Sequence, residues 1–421
     1  MLIILDGCCL SVLSSWQESS FSVCKSKEQA VEAFDLLFPT YIRFGRDVVD
    51  QIGEAVKTLG RTVLVVYGQA SVVRSGLLQR VTQSLASSGC KVVDGGGVKP
   101  NPTYDGVQKL AEIAYQYQVD CLLAVGGGSV IDTAKALAGL LVHSDPDTYW
   151  TNHFEQYQPI KEALPIAVVL TIPASGSETS DSCVISESET GLKRIASGPA
   201  LVPRVSLLDP MLTTTLPAYQ TACGISDMLS HLMERYFTPL KENDLTGRLL
   251  ESVMRHIIDN GPLVLAHPAS YHLRSEIMWA GTLAHSNLLD RGRGGGDWAC
   301  HMMEHALSGF CDVAHGAGLA ILTPAWMRTV APLHPQLFLQ YAHRVWNIEL
   351  PQSSFEDILD RLIRSLQTFY QSLGLPTKLR EIGVEETELP ALAQAAAGVY
   401  PIGCLEQLDA KQVLAILHLA Y

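Results

Sequence analysis

Histidine and acidic side chains recur at helical spacing in the second half of the chain. Asp227 and His231 are four residues apart in ACGISDMLSHLMERYF, and apolar neighbours surround them, so both are predicted to share one face of a helix. His301 and His305 in HMMEH have the same spacing, and His315 follows ten residues later. A carboxylate together with several imidazoles suits a first-row divalent metal ion.

The stretch HMMEH also allows a different interpretation. It fits H-x-x-E-H, the inverted zinc-protease signature, in which Glu304 would be the general base. A single histidine on an apolar helix face is, moreover, often only a hydrogen-bonded core residue. The protease interpretation is disfavoured because it gives no use to the glycine-rich turns in the first half of the chain.

The first of these turns follows a run of buried residues in AVGGGSVIDTAKALAGLL. Gly126, Gly127 and Gly128 precede a helix predicted to start near Ser129, and its exposed N–H groups and dipole would attract a phosphate. Ser129 and Asp132 also fit the S-x-x-D capping pattern, so a capped helix that binds nothing is the alternative. The motif is neither the spaced G-x-G-x-x-G fingerprint nor a P-loop.

A second turn repeats the pattern in VVLTIPASGSETS, where an apolar strand ends near Thr171. Small hydroxyl residues follow it: Ser175, Ser177, Thr179 and Ser180. Two such turns at the same ends of parallel strands predict a dinucleotide that lies across the crevice of the sheet.

A third turn, YGQASVVRSG, bears on which dinucleotide is bound. It contains no carboxylate at or after Gly68 that could bind a ribose 2′-hydroxyl, whereas Ser71 and Arg74 could contact a 2′-phosphate. The turn therefore favours NADP(H). NAD(H) stays open, since Arg74 also fits a solvated helix position.

The order of apolar runs predicts the fold class. Four runs are apolar on both faces and alternate with helical patterns, which is typical of a doubly wound, mainly parallel α/β sheet with helices on both faces; they span residues 62–68, 90–96, 119–128 and 165–173. Beyond Pro217 the chain is amphipathic and helical, as in SFEDILDRLIRSLQTFYQSLG. We therefore expect an extension of unknown role over residues 1–33, a nucleotide-binding α/β domain over 34–212 and an all-α metal-binding domain over 213–421.

Composition excludes several classes of function. The net charge of −13, without a concentrated basic block, argues against a nucleic-acid partner, and no segment is long enough to span a membrane. The ten cysteines form no CxxC pair, as expected of reduced thiols in the cytoplasm. A secretory or anchoring role for the first residues is disfavoured, because no basic residue precedes Lys25 and Asp6 interrupts the apolar run.

Taken together, the motifs resemble those of the iron-containing, or group III, alcohol dehydrogenase family over nearly all of residues 35–421. The similarity is strongest to its NADPH-dependent aldehyde reductase and butanol dehydrogenase branch. It rests on YGQASVVRSG, KPNPTYD, GGGSVIDTAK, TIPASGSE, LLDP, GISDMLSHLMERYF, DWACHMMEH and AHGAGLAILTPAWM.

The resemblance implies a role for each candidate residue. The implied ligands of one Fe²⁺ or Zn²⁺ ion are Asp227, His231, His301 and His315, while His305 would face the nicotinamide and the substrate. His305 and Asp132 are the implied catalytic residues, and Glu304 would be a helix-surface group or a group behind the ligands. The cofactor contacts that the resemblance implies are Gly126, Gly127, Gly128, Ser129, Asp132, Thr171, Ser175, Ser180 and Lys193. The third turn adds Gly68, Ser71 and Arg74 as candidates.

The function implied by the resemblance is hydride transfer between NADP(H) and a short or medium aliphatic alcohol or aldehyde, in a homodimer. The metal would act as a Lewis acid toward the substrate oxygen. Two alternatives remain at this point: an enzyme of the same architecture similar to glycerol-1-phosphate dehydrogenase or dehydroquinate synthase, and a nucleotide-binding protein without catalysis. Gln69 and Ala70 depart from the paired glycines of many relatives, which puts cofactor contacts there in doubt.

Overall fold

A computed structural model describes residues 33–143, 145–189, 193–239, 244–350 and 354–421. All but the last residue of the predicted N-terminal extension lies outside these ranges. Among the described residues, no helix combines the length and the hydrophobicity required to traverse a lipid bilayer.

A six-stranded, entirely parallel sheet forms the first half of the molecule, with the strand order β1-β8-β5-β4-β2-β3. Every residue of β4 and β5 is buried, as expected of strands covered on both faces. The strands of this sheet are β1 (Tyr41–Phe44), β2 (Thr62–Tyr67), β3 (Lys91–Gly95), β4 (Cys121–Gly126), β5 (Ile166–Leu170) and β8 (Val205–Leu208).

Helices cover both faces of the sheet. Alternate residues of β2 enter different apolar clusters, with Val63 and Val65 in one and Leu64 and Val66 in the other. This arrangement confirms the doubly wound α/β prediction. The helices of this half are α1 (Ile52–Val56), α2 (Ser71–Arg74), α3 (Leu77–Ser87), α4 (Tyr104–Tyr117), α5 (Gly128–Leu140) and α6 (Pro146–Trp150), followed by a π-helical turn (Thr151–Glu155).

Two strands outside the main sheet form an antiparallel hairpin, β6 (Ser182–Ser186) and β7 (Lys193–Ser197). The hairpin packs on α5, and the backbone N–H of Val184 donates to Asp132 Oδ2 at 2.9 Å. It therefore anchors the helix that follows the glycine-rich turn.

The second half is helical, as predicted: beyond β8 the described residues contain helices and one isolated bridge, Ile402 with Leu408. Its helices are α7 (Ala218–Tyr236), α8 (Asp244–Ala266), α9 (Tyr271–Ala284), α10 (Ala299–Cys311), α11 (His315–Val330), α12 (Pro335–Trp346), α13 (Phe355–Ser372), α14 (Leu389–Ala397) and α15 (Ala410–Ala420). The predicted domain boundary at 212/213 stays a prediction; it falls between the end of β8 and the start of α7.

Candidate active site

Three helices bring four polar side chains to one point. Asp227 and His231 lie on the buried helix α7, His301 is in the first turn of α10, and His315 begins α11. Asp227 Oδ1 is 3.3 Å from Nε2 of His231, 3.7 Å from Nε2 of His301 and 3.5 Å from Nε2 of His315. All four ligands implied by the resemblance are thus assembled.

The distances from Asp227 Oδ1 to the three imidazole nitrogens fit a shared metal ion, and the ligand atoms of Asp227, His301 and His315 all lie within 4.8 Å of one another. Ligand atoms about 2.1 Å from a tetrahedral metal lie about 3.4 Å from one another, which is the range observed here. Asp227 Oδ1 and His301 Nε2 are buried without a hydrogen-bond partner among the described residues. Since buried polar atoms normally have partners, the cluster is suited to a divalent cation.

Two buried glutamates hold the outer nitrogens of the implied ligands. Glu234 contacts His301 Nδ1 and also accepts the backbone N–H of Cys300 at 2.7 Å. Glu304 contacts His315 Nδ1 and is fully buried, so it is not the helix-surface group that was one of its two expected positions. Such carboxylate–histidine pairs orient metal ligands and fix their tautomers.

Burial and neighbouring charges set the protonation of the cluster. Burial alone would raise the pKa of Asp227, but the His231 and His315 imidazoles hold it well below its usual value. Burial lowers the pKa of His231 to about 4, although Asp227 opposes that effect. An anionic carboxylate and a neutral imidazole are the forms that bind a metal, and Asp227 and His231 have them. Burial would lower the pKa of His301, but Glu234 and Asp227 raise it to about 10, so a metal ion has to displace a proton from that ring.

His305 lies one helical turn after His301, and its ring centroid is 5.6 Å from that of His315. Burial, reinforced by the charges of His315 and Lys193, holds its pKa well below the usual value. Ligand atoms of Glu304, His305 and His315 also lie within 4.8 Å of one another.

The three predicted nucleotide turns lie side by side at the carboxyl edge of the sheet. They follow β5, β4 and β2, which are neighbours in that order, and the Thr171 N–H donates to the Gly126 carbonyl at 3.0 Å. A Cβ on Gly128 would come within 2.6 Å of Ser175 Oγ, so the first two turns approach closely at this glycine. Gly68, Ser71 and Arg74 lie at the third turn, where Ser71 and Arg74 are exposed.

Two of the residues predicted to contact the cofactor form hydrogen bonds within the protein. Asp132 accepts the Ser177 hydroxyl at 2.6 Å as well as the Val184 N–H, and Gly127 caps α5 without any side-chain bond. The Ser129–Asp132 capping box is therefore wrong. Ser180 is only 3% exposed, and its Oγ accepts from Lys135 at 3.1 Å, so its own O–H is the group left to donate to a cofactor.

The site also contains residues that no sequence pattern had indicated. The His285 ring stacks on His231 with centroids 4.2 Å apart, and its Nδ1 donates to the Ser175 carbonyl, since a carbonyl oxygen can only accept. The Trp298 ring lies 5.3 Å from that of His301, and Arg235 stacks over Trp298 at 5.2 Å. His285 thus connects the metal cluster to the β5 turn.

Comparisons with known proteins agree with this geometry. Residues 39–210 match the family model "Iron-containing alcohol dehydrogenase", and residues 221–421 match "Fe-containing alcohol dehydrogenase family, C-terminal". The chain is 37% identical over 394 residues to NADH-dependent butanol dehydrogenase A of Clostridium acetobutylicum, covering 92% of this chain and 100% of the relative. It is 35% identical over 359 residues to the NADPH-dependent aldehyde reductase YqhD of Escherichia coli, covering 85% and 91%.

Solved structures extend the similarity to three dimensions. The crystal structure of NADH-dependent butanol dehydrogenase A from Thermotoga maritima has a TM-score of 0.88 at 34% identity and covers 93% of this chain and 100% of that one. The crystal structure of YqhD from Escherichia coli also has a TM-score of 0.88, at 32% identity, and covers 94% and 100%. The chain belongs to the iron-containing alcohol dehydrogenase family.

Proposed function

We propose that the protein is an NADP(H)-dependent, metal-dependent alcohol dehydrogenase that reduces short and medium aliphatic aldehydes and oxidises the corresponding alcohols. The observation that carries this proposal is the convergence of Asp227 Oδ1 with three imidazole Nε2 atoms at 3.3–3.7 Å. Butanol dehydrogenases and an aldehyde reductase among the relatives support the substrate class.

In this proposal the chain's own residues bind, orient and hold protons. Asp227, His231, His301 and His315 hold one Fe²⁺ or Zn²⁺ ion, which supplies Lewis acidity toward the substrate oxygen when bound. NADPH supplies the hydride. Burial, with the charges of His315 and Lys193, holds the pKa of His305 well below its usual value, so its neutral imidazole can accept a hydrogen bond beside that oxygen.

NADP(H) is favoured over NAD(H) by the charge at the β2 turn. A Cβ on Gly68 would meet only the Val98 carbonyl at 3.8 Å, so the position is open, and no carboxylate occupies it. Arg74 is exposed and forms no ion pair with any described residue. A free guanidinium beside a hydroxyl group is the setting that a 2′-phosphate requires. The relatives include enzymes named for NADH and for NADPH, so the cofactor preference is argued from this chain's own residues.

An assay of nucleotide oxidation tests the proposal. The purified protein is loaded with Fe²⁺ or with Zn²⁺, and the loss of NADPH or NADH absorbance is followed with aldehydes of increasing chain length. We expect turnover that requires the metal and a kcat/KM that is higher with NADPH. Absence of turnover with every aldehyde in the metal-loaded protein would refute the proposed reaction, whereas a preference for NADH would refute only the cofactor assignment.

We also propose a homodimer in which β1 forms part of the interface. It is an edge strand of the sheet, and its Tyr41 and Phe44 side chains are 58% and 37% exposed. Trp279, 44% exposed, meets Phe44 edge to face at 6.0 Å. Exposed edge strands with aromatic neighbours favour association with another chain. Sedimentation of the native protein and of a Phe44→Lys variant tests this, since the variant should shift toward monomer.

A cytoplasmic location is part of the same proposal. Five cysteines of the described residues are free and buried: Cys90, Cys121, Cys183, Cys223 and Cys300. Free thiols are typical of a reducing compartment. Fractionation of the source cells with an antibody to the protein tests the location.

A further inference from the structure

A second pair of histidines lies at the far end of α5 from the glycine-rich turn. His143 follows the carboxyl end of α5, and His153 lies in the π-helical turn Thr151–Glu155. Their Nε2 atoms are 3.2 Å apart. Because α5 has 13 residues and rises about 1.5 Å per residue, the pair is roughly 20 Å from the glycine-rich turn along the helix axis.

The tautomer of both rings is fixed by the backbone. His143 Nδ1 lies 2.8 Å from the Gly139 carbonyl oxygen, and His153 Nδ1 lies 2.7 Å from the Gln158 carbonyl oxygen. A carbonyl oxygen can only accept, so both Nδ1 atoms carry hydrogen. In the neutral rings both Nε2 atoms therefore present lone pairs to each other across 3.2 Å. Two lone pairs at this distance repel each other unless a proton or a metal cation lies between them.

The orientation of the two rings leaves room for a metal ion bound to both Nε2 atoms. The ring centroids are 5.0 Å apart, which is less than the N–N distance of 3.2 Å plus two ring radii. The two rings therefore do not face each other along one line, although the contact still satisfies the distance and angle of an N–H···N hydrogen bond. A zinc ion about 2.0–2.1 Å from each nitrogen would subtend an angle of about 100°, which lies between octahedral and tetrahedral values.

We infer that His143 and His153 form a binding site for a first-row divalent cation, separate from the catalytic centre, with water in the remaining coordination positions. Donation of Nδ1–H to a backbone carbonyl is the arrangement that prepares a histidine for metal binding. Imidazole nitrogens suit Zn²⁺, Ni²⁺ and Cu²⁺. Burial, opposed by the Gln158 carbonyl and supported by His143, lowers the pKa of His153, which favours the neutral ring.

Occupancy of this site would connect two segments of the nucleotide-binding half. The ion would join the end of α5 to the π-helical turn, and the N-terminal end of α5 forms the glycine-rich turn. A ligand that binds only the folded state stabilises that state in proportion to its concentration. The inference does not depend on the proposed reaction, because it concerns residues outside the catalytic centre.

Zinc titration of the holoenzyme tests the inference. The full-length protein, with one equivalent of metal in the catalytic centre, is titrated with Zn²⁺ by calorimetry, and metal content is measured after gel filtration. We expect a second equivalent in the wild type, its loss in His143→Gln and in His153→Gln, and a rise of Tm with zinc in the wild type alone. NADPH binding followed by fluorescence reports whether each variant is folded.

A control variant distinguishes zinc binding at His143 and His153 from zinc binding at an exposed histidine on the surface. His272→Gln removes an exposed histidine that faces Glu276, so it should leave the second equivalent in place. Loss of the second equivalent in that variant, or its retention in His143→Gln, would overturn the inference. For the wild type alone, Cu²⁺ bound beside a filled catalytic centre should show two coupled nitrogens in its electron paramagnetic resonance spectrum. A spectrum without nitrogen coupling would also overturn the inference. So would a titration in which no second metal binds, because the two rings would then only share a proton.

Discussion

Glu234 contacts Nδ1 of His301 from the same helix that carries Asp227 and His231. Helix α7 therefore carries two of the proposed ligands and the carboxylate that orients a third proposed ligand from α10. Glu234 is 2% exposed, and its second oxygen accepts the backbone N–H groups of Cys300 and His301. The start of α10 and the orientation of its ligand are thus fixed by one side chain.

Replacement of Glu234 by glutamine should weaken metal binding. The amide keeps the size of the side chain but removes the charge that raises the basicity of His301, and such changes typically cost about 10–100-fold in affinity. Metal content after dialysis against a series of chelator concentrations measures the effect. Glu276→Gln, on α9 and away from the cluster, is the matched control; equal metal retention in both variants would mean that Glu234 does not support the site.

An acidic residue at position 68 should reverse the cofactor preference. In Gly68→Asp, the new carboxylate would repel a 2′-phosphate and accept the 2′-hydroxyl of NADH, which corresponds to about 1–3 kcal/mol of lost NADPH binding. Michaelis constants for both nucleotides measure the change, and Arg74→Ala should weaken NADPH binding in the same direction. If both variants lower kcat/KM equally for the two nucleotides, the β2 turn does not select the 2′-phosphate.

The pH dependence of stability should contain a contribution from Asp297. Burial, together with the charge of Glu234, raises the pKa of this carboxyl group to about 7. The folded state therefore binds more protons than the unfolded state between about pH 4 and pH 7, so the free energy of unfolding falls as pH rises through that window. Its slope from this single group is at most about 1.4 kcal/mol per pH unit.

Asp297→Asn should remove this slope and keep the fold. Asp297 Oδ1 accepts the N–H groups of Cys404 and Leu405, both at 2.7 Å, and an amide oxygen can do the same. Urea denaturation at a series of pH values compares the variant with the wild type and with Asp259→Asn, an exposed position on α8. A variant that retains the full wild-type slope would show that another group titrates.

Sequence patterns identified four strands of the sheet, including the edge strand β3, but missed the edge strand β1 and its neighbour β8. Strands β2 to β5 were predicted because each is apolar on both faces, which only a strand between two helical layers needs. Strands β1 and β8 have four residues each, too few to form a pattern, and β1 alternates little between apolar and polar positions. The hairpin of β6 and β7 was also missed, and the error about Asp132 follows from it: the carboxylate that resembled a helix cap instead binds Val184 of β6.

In the proposed metal site, too, residues on one helix could be predicted from their spacing, whereas contacts between distant parts of the chain could not. The spacing of Asp227 and His231 could be interpreted because both are on one helix. Glu234 continues their face of α7, three residues after His231, and this spacing was the signal that could have identified it. The contact of His285 with Ser175 joins residues 110 positions apart, and no local pattern indicates such a contact.

Metal-dependent oxidation of NADPH by the wild type and by His231→Ala tests the central claim most directly. Loss of one ligand should remove the metal and lower kcat/KM for a short aldehyde by roughly a thousand-fold or more, because the Lewis acid contributes several kcal/mol to the transition state. His272→Ala, with a side chain that is 78% exposed, should retain wild-type activity and metal content. If a variant with both His231 and His301 replaced by alanine has verifiably lost its metal and still turns over at the wild-type rate, the proposed active site is wrong.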